Sequence, residues 1–542
     1  MKKTFLPVIL ILMLLCFTAC SSSDNVSANV NSDRIQILSV SGGNEQIYLN
    51  LAKPADGNFV ISYKATGAEE YTALDQELIV ENDDSLWGCI VGIPKGQYDV
   101  KIELGEGENY ACTTLCNIDV EKQDRSGYVH FNREEGIGGY NNDGTVKEGA
   151  KILYLTNENK NTLTLDINGT TYTGLVEILR ANQYMEEPLI IRVLGKITTN
   201  YWEDNITVDG LNVSDPSEYA NLLSDKYGEN LAGLPILPDV DEESNVVVAT
   251  PDGLTLSTIV IDSRAYVAPN DIQVENASNI TIEGIGTEAM FYRFGIHFWW
   301  SDSIEVKNLT FEAAPTDGLG FYGFGEFPGH GWYWIHNNTF NGAAGDEPLD
   351  FAEIGHVTIA YNKFIRNNKA MLLGGWEYDH CWNMTIHHNH YYKVTQRLPL
   401  SRNSNIHNYN NYYENCGYGI SPRSSSYVFN EANYFWNIGE PYYSSDEETW
   451  GVVKSWNDIY VNSTTNIDKA TIVTDRDEIV ENICFPDGST DYSKFDTDPE
   501  LFYYDAENHC SDVEVMLDAE DVPAFVRTHA GAGVLAQADL PE

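Results

Sequence analysis

An Asn-x-aromatic element returns at short intervals through the C-terminal half of the chain. It reads Asn338-Thr339-Phe340, Asn362-Lys363-Phe364, Asn389-His390-Tyr391, Asn411-Tyr412-Tyr413 and Asn433-Tyr434-Phe435, spaced by 24, 27, 22 and 22 residues. Periods this short belong to solenoids, in which each repeat buries its apolar side only against its neighbours. Strand-like runs precede several copies, among them His356-Val357-Thr358-Ile359 and Asn383-Met384-Thr385-Ile386. One repeat therefore fits one coil of a right-handed parallel β-helix. Stacked coils place identical side chains above one another, so an inward Asn can bond the backbone of adjacent turns while the aromatic ring fills the core. The same asparagines could bind sugar, but regular recurrence favours the structural role.

The uneven spacing locates a working face. If a bare coil needs 22 residues, the longer step from Asn362 to Asn389 holds an extended turn that includes Leu372-Leu373-Gly374-Gly375-Trp376. Insertions of this kind gather on one side of a solenoid and build its binding surface. A larger excursion, 201–245, carries eleven acids against one base, Lys226, and reads as a solvated loop because its carboxylates lack EF-hand spacing.

Ahead of the solenoid, residues 34–122 show short strand-like runs such as Phe59-Val60-Ile61-Ser62-Tyr63, separated by Gly, Pro and Asp. They suit a small β-sandwich acting as a spacer, and Ile93-Pro94-Lys95-Gly96-Gln97-Tyr98 resembles the turn before a late strand in fibronectin type III-like modules. The solenoid domain is expected over 128–542. At the N-terminus, Lys2 and Lys3 precede an apolar run from Phe5 to Phe17 that ends in Thr18-Ala19-Cys20. Thirteen residues broken by Pro7 are short for a membrane span and read as an export signal. The small residue before Cys20 and the serines after it resemble a bacterial lipoprotein signal, which implies lipidation of Cys20. Residues 21–33 then form a flexible tether. This reading places the protein outside the cytoplasm, lipid-anchored at the outer membrane or cell surface, monomeric, and touching the membrane only through the anchor. Seven cysteines remain beyond Cys16 and Cys20, an odd number with no CxxC pair, so neither a full disulfide framework nor a zinc site is expected.

Charge sharpens the choice of partner. The 542-residue chain has 32 Lys and Arg against 81 Asp and Glu, a formal net charge of −49, which excludes nucleic acid as a partner. The stretch 360–425 is different, holding seven bases and three acids. An acidic body thus carries one positive stripe, so the net charge does not exclude an anionic partner there.

Three features in and around that stripe carry chemistry. Asp346 and Asp350 stand four apart in Asp346-Glu347-Pro348-Leu349-Asp350, with Asp317 about one coil earlier. Alternation along a strand points Asp346 and Asp350 the same way, and a third carboxylate one rung below completes an oxygen cage suited to calcium. Lys369 precedes the apolar run Ala370-Met371-Leu372-Leu373. Arg397 and Arg402 flank a proline in Gln396-Arg397-Leu398-Pro399-Leu400-Ser401-Arg402 and offer planar forks to carboxylates.

The combination is recognisable. Arg-x-Pro-x-x-Arg, then His407-Asn408-Tyr409-Asn410-Asn411-Tyr412-Tyr413, preceded by Thr385-Ile386-His387-His388-Asn389 and Lys369-Ala370-Met371-Leu372, resembles the pectate lyases of polysaccharide lyase family one. The resemblance extends over about 130–540, from Gly136-Ile137-Gly138-Gly139 to Ala530-Gly531-Ala532-Gly533. It implies an all-β parallel β-helix enzyme that cleaves polygalacturonate by calcium-dependent β-elimination, leaving 4,5-unsaturated oligogalacturonides. Arg397 then matches the residue that takes the C5 proton, Lys369 and Arg402 hold substrate carboxylates, and Asp317, Asp346 and Asp350 match the calcium ligands. One departure stands out: the family usually reads Trp-Ile-Asp-His where this chain has Trp334-Ile335-His336-Asn337. It implies altered coil packing near the calcium ligands.

Three alternatives remain at this point. A pectin lyase on methyl-esterified chains would leave the three calcium-type carboxylates without a cation. A hydrolase would leave the paired arginines unexplained. A non-catalytic glycan-binding lipoprotein would not need all six charged positions.

Overall fold

The computed structural model describes residues 31–198, 271–474 and 516–534, apart from short internal gaps, together with five short strands between 206 and 260. The export signal, Cys20, most of the tether, much of the acidic excursion, Cys484 and Cys510 lie outside the described residues. Among the described residues no helix is long and apolar enough to cross a membrane.

The chain forms two compact units. The smaller draws on residues up to 42, 47–90 and 96–120. It holds two four-stranded sheets, one of Ile37–Gly43, Gln46–Ala52, Ser85–Val91 and Ile79–Glu81, the other of Thr72–Ala73, Phe59–Ala65, Gly96–Leu104 and Ala111–Val120. Neighbouring strands in the second sheet run antiparallel. Alternation drives the packing: Phe59 and Ile61 are buried while Val60 between them is exposed. Cys89 and Cys112 are buried free thiols here, as are Cys381 and Cys416 in the larger unit.

The larger unit is a parallel β-helix of three sheets. One coil shows the plan. Met371–Leu373 lies in the third sheet, Cys381–His387 in the first and His390–Tyr392 in the second, after which Leu400–Ser401 re-enters the third. Each strand pairs in parallel with its equivalent one coil on, for example Ile354–Ala360 with Cys381–His387 and Lys363–Ile365 with His390–Tyr392. The turn between first and second sheets needs only two residues. The first takes a left-handed conformation, as at Tyr361 (φ 54°), His388 (φ 52°) and Asn410 (φ 50°), and the second is the repeating Asn.

The repeating Asn and aromatic residues form two continuous stacks. Asn338, Asn362, Asn389 and Asn411 each donate from Nδ2 to Oδ1 of the next repeat's Asn at 3.0–3.1 Å. Each also donates to a backbone carbonyl on the preceding coil, as Asn389 does to Ile359 O at 2.9 Å. Beside them Phe311, Phe340, Phe364, Tyr391, Tyr413, Phe435 and Tyr460 stack at centroid spacings of 4.5–5.1 Å. The asparagines are therefore structural; the aromatic stack runs one coil beyond the sequence repeat at each end, whereas the Asn ladder begins at Asn338, whose equivalent one coil earlier is Leu309. At the far end Asp458 replaces Asn and accepts from Asn433 Nδ2 at 3.1 Å.

The two glycine-rich motifs pack against the side of the coils. Gly139 N donates to Thr281 Oγ1 at 2.9 Å, and Gly533 N donates to Asn308 Oδ1 at 2.7 Å. Within the acidic excursion Ile206–Val208 pairs with Leu211–Val213, and Asp239–Val240 joins Asn245–Val248 and Ser257–Val260, at and beyond its end, in a three-stranded sheet. That stretch is thus not plain loop throughout.

Candidate active site

Four of the six singled-out charged residues arise from equivalent turns. Asp317, Asp346, Lys369 and Arg397 each stand a few residues before a third-sheet strand, respectively Leu319–Tyr322, Leu349–Ala352, Met371–Leu373 and Leu400–Ser401. Parallel register stacks those turns on successive coils. Asp350 lies within its strand, in register with Gly320 and Leu372. Leu349 and Phe351 on either side point into the core, so Asp350 stands on the outer face.

Opposite charges interlock there. Carboxylate oxygens of Asp317, Asp346 and Glu347 lie within 4.8 Å of one another. Lys369 Nζ bonds Asp346 Oδ1 and is 4.0 Å from Glu347 Oε1, while Arg397 Nη1 bonds Glu347 Oε1. Glu347 is almost wholly buried, whereas Asp346 is half-exposed. Glu347 N donates to Asp317 Oδ1 at 3.2 Å, fixing the two turns together.

Tyr322 joins Asp350 to this group. Its hydroxyl lies 3.0 Å from Asp350 Oδ2 and 3.3 Å from Asp317 Oδ2. The ring reaches that position by folding over Gly320, where a Cβ would meet the Tyr322 ring and hydroxyl at 2.6 Å. Glycine is thus required by close approach. Asp350 Oδ1 is buried and finds no hydrogen-bond partner among the described residues. Burial, reinforced by the neighbouring Asp346 and Asp379 charges, pushes the Asp350 carboxyl up to about 7. His297 Nε2 lies 3.7 Å from Asp317 Oδ2 at the group's edge.

Arg402 occupies a different position. Its N bonds Leu373 O at 2.8 Å, and its Nη1 donates to the carbonyls of Gly374 at 2.9 Å and Gly375 at 3.1 Å. It stands at the end of the Met371–Leu373 strand, whereas Arg397 O accepts from Met371 N at its start.

The structure therefore gathers Asp317, Asp346, Lys369 and Arg397 directly, links Asp350 through Tyr322, and sets Arg402 one strand-length away. Sequence reasoning did not assign Glu347, His297 or Tyr322. Glu347 was discoverable as a second acid beside Asp346, but strand alternation misplaces it because residues 346–348 form a turn. Nothing local marks His297 or Tyr322; their parallel register supplies the proximity.

His336 and Asn337 lie elsewhere. His336 belongs to the first sheet, where its Nε2 is 3.2 Å from Glu305 Oε1 and its Nδ1 2.9 Å from Asn337 Oδ1. Lys307 Nζ lies 3.3 Å from the same Glu305. Burial opposes the charge on Glu305, but Lys307, His336 and Thr281 outweigh it and hold the carboxyl down at about 2. The exchange therefore alters packing in a first-sheet polar network, not the packing around the third-sheet acids.

Residues 262–479 match the family described as Pectate lyase. A pectate trisaccharide-lyase of Bacillus licheniformis is 28% identical over 216 residues, covering 37% of this chain and 61% of that protein. A pectate lyase of Bacillus subtilis is 28% identical over 203 residues (31% and 46%), and pectate lyase 2 of Pectobacterium carotovorum 30% over 184 (31% and 48%). The chain thus spans about half to three-fifths of the length of these curated relatives. Among solved structures, a Bacillus pectate lyase in complex with trigalacturonate aligns with a TM-score of 0.46 at 18% identity, covering 76% of this chain and 99% of that one. Pectate lyase C from Erwinia chrysanthemi with Ca2+ aligns at 0.44 and 18%, covering 77% and 98%.

Proposed function

We propose that the β-helix unit is a calcium-dependent pectate lyase that cleaves polygalacturonate by β-elimination and releases 4,5-unsaturated oligogalacturonides. The observation that carries this reading is the placement of Lys369 and Arg397 against the Asp346–Glu347 acid pair beside Asp317. The matched relatives, by their names, are pectate lyases.

The acids suit a hard divalent cation. Three carboxylates converge within 4.8 Å, and Asp350 contributes a buried oxygen with no partner among the described residues. Asp317, Asp346, Glu347 and Asp350 would hold calcium, and the bound ion would neutralise a substrate carboxylate as charge builds at the adjacent carbon. Lys369, beside the acids, stabilises the same developing charge from a fixed position, and Arg402, one strand-length away, holds the carboxylate of another sugar unit. Arg397 stands beside this group and receives the C5 proton, while the C4–O bond breaks and its electron pair leaves with the departing sugar oxygen. The guanidinium cation has no lone pair to take that proton, so Arg397 serves only as the neutral guanidine, and the reaction requires alkaline conditions. The role of Arg397 rests on family resemblance.

We further propose export of the chain, lipidation at Cys20, and a spacer role for the small β-sandwich unit of residues 34–122. The support is Lys2, Lys3 and the Phe5–Phe17 run ahead of Cys20. Labelling with a radioactive fatty acid should mark the wild type and spare Cys20→Ser; equal labelling would refute the anchor. For the enzyme itself, purified protein assayed on polygalacturonate should form ultraviolet-absorbing unsaturated product with calcium and lose that activity with chelator. Saturated products would indicate hydrolysis instead.

A further inference from the structure

We infer that Trp376 is an aromatic platform for a sugar unit of the bound uronate chain, at the Arg402 end of the site. The inference rests on the lyase reading and adds a subsite to it.

The backbone sets the order of groups along the site. Lys369 pairs with Gln396, and Arg397 O accepts from Met371 N, so both bases stand at the start of the Met371–Leu373 strand. Arg402 is bonded to Leu373 O, Gly374 O and Gly375 O at its end. At about 3.3 Å of rise per residue, Lys369 and Gly374 are separated by about 16 Å. A polyuronate lying along this strand meets Lys369 and Arg397 first, Arg402 next, and Trp376 after it.

Trp376 is placed unlike other large apolar residues of the β-helix. Its side chain is 74% exposed, whereas the next most exposed of the described large hydrophobics, Tyr184, reaches 56%. Its backbone is nevertheless pinned. Trp376 N donates to Asp379 Oδ2 at 2.8 Å and Trp376 O accepts from Asp379 N at 3.1 Å. Asn403 Nδ2 holds Asp379 O at 3.0 Å, and Gly374 N bonds Phe351 O at 2.8 Å. The turn also belongs to the coil with the longest Asn-to-Asn interval, 27 residues. A broad ring left in water on an anchored turn loses little entropy on binding. It offers a flat apolar face to the C–H face of a sugar while the adjacent guanidinium takes the carboxylate.

The test compares wild type, Trp376→Ala and Trp376→Phe, all calcium-loaded, on polygalacturonate and on trigalacturonate. Trp376→Ala should raise KM for polygalacturonate about tenfold, the ratio that about 1.4 kcal/mol sets. It should change kcat less than about twofold and leave trigalacturonate kinetics as in wild type, with Trp376→Phe recovering most of the loss. Unchanged KM on polygalacturonate, or equal losses on both substrates, would overturn the inference. If wild type forms no unsaturated product, the lyase reading itself fails. Retardation in a polygalacturonate gel then decides for Trp376 alone: loss in Trp376→Ala supports the platform, and unchanged retardation overturns it.

Discussion

The Arg397 guanidinium is hydrogen-bonded to the Glu347 carboxylate, which precedes a strand two coils earlier in the third sheet. One buried acid thereby bonds the arginine proposed to take the proton and lies within 4.8 Å of the Asp317 and Asp346 carboxylates with which it is proposed to hold calcium. Glu347→Gln keeps the shape and removes the charge. Calcium affinity measured by titration calorimetry should fall about tenfold or more, and kcat should fall with it, because a buried group made for a charged partner loses about 1.5–3 kcal/mol with that charge. Unchanged calcium affinity would show that Glu347 serves only Arg397.

Asn389 sits at the centre of the ladder. Its Nδ2 serves Ile359 O, His387 O and Asn411 Oδ1, and its Oδ1 accepts from Asn362 N and Nδ2. Asn389→Ala leaves several of these buried groups unpaired, at about 1–3 kcal/mol each. Thermal denaturation should show a Tm several degrees lower, whereas substituting the exposed Val176 by Ala should leave Tm nearly unchanged.

The far end of the ladder predicts a pH effect. Burial pushes the Asp458 carboxyl up to about 6, although hydrogen bonds from Ser455 and Asn433 oppose the shift. A carboxyl raised in the folded state binds a proton that the unfolded chain has already released. Folding stability therefore falls as pH rises from about 4 to about 6, with the full cost present above that range. Denaturant midpoints across this range should show the decline, and Asp458→Asn should flatten it. An identical profile in both proteins would rule Asp458 out.

Lys307 makes the opposite kind of prediction. It lies 3.3 Å from Glu305 and 3.6 Å from Glu283, both buried. Lys307→Met leaves two buried carboxylates short of a cation and should cost about 3–5 kcal/mol, read from chemical denaturation at pH 7. The Glu305 carboxyl is depressed, so its contribution to stability is present above the unfolded value and lost as pH falls toward about 2. The penalty of the variant should therefore shrink in acid.

The coil architecture was legible because the same Asn and aromatic positions recur, and a repeating side chain reports a repeating backbone. Asp317, Asp346, Lys369 and Arg397 were legible as charged exceptions within that pattern. Glu347 was not, because alternation holds along a strand and fails in the turn that carries it. Tyr322 and His297 were hidden for another reason: neither neighbours another site residue in sequence, and only parallel register brings them to Asp317. The place of His336 was misread because family spacing gives its sequence neighbours, not its sheet.

The most direct test is formation of unsaturated product from polygalacturonate by wild type and Arg397→Ala, each with calcium and with chelator. Product from calcium-loaded wild type, and loss of activity in the other three conditions, is the predicted result. Undiminished product formation with chelator or by Arg397→Ala would contradict it.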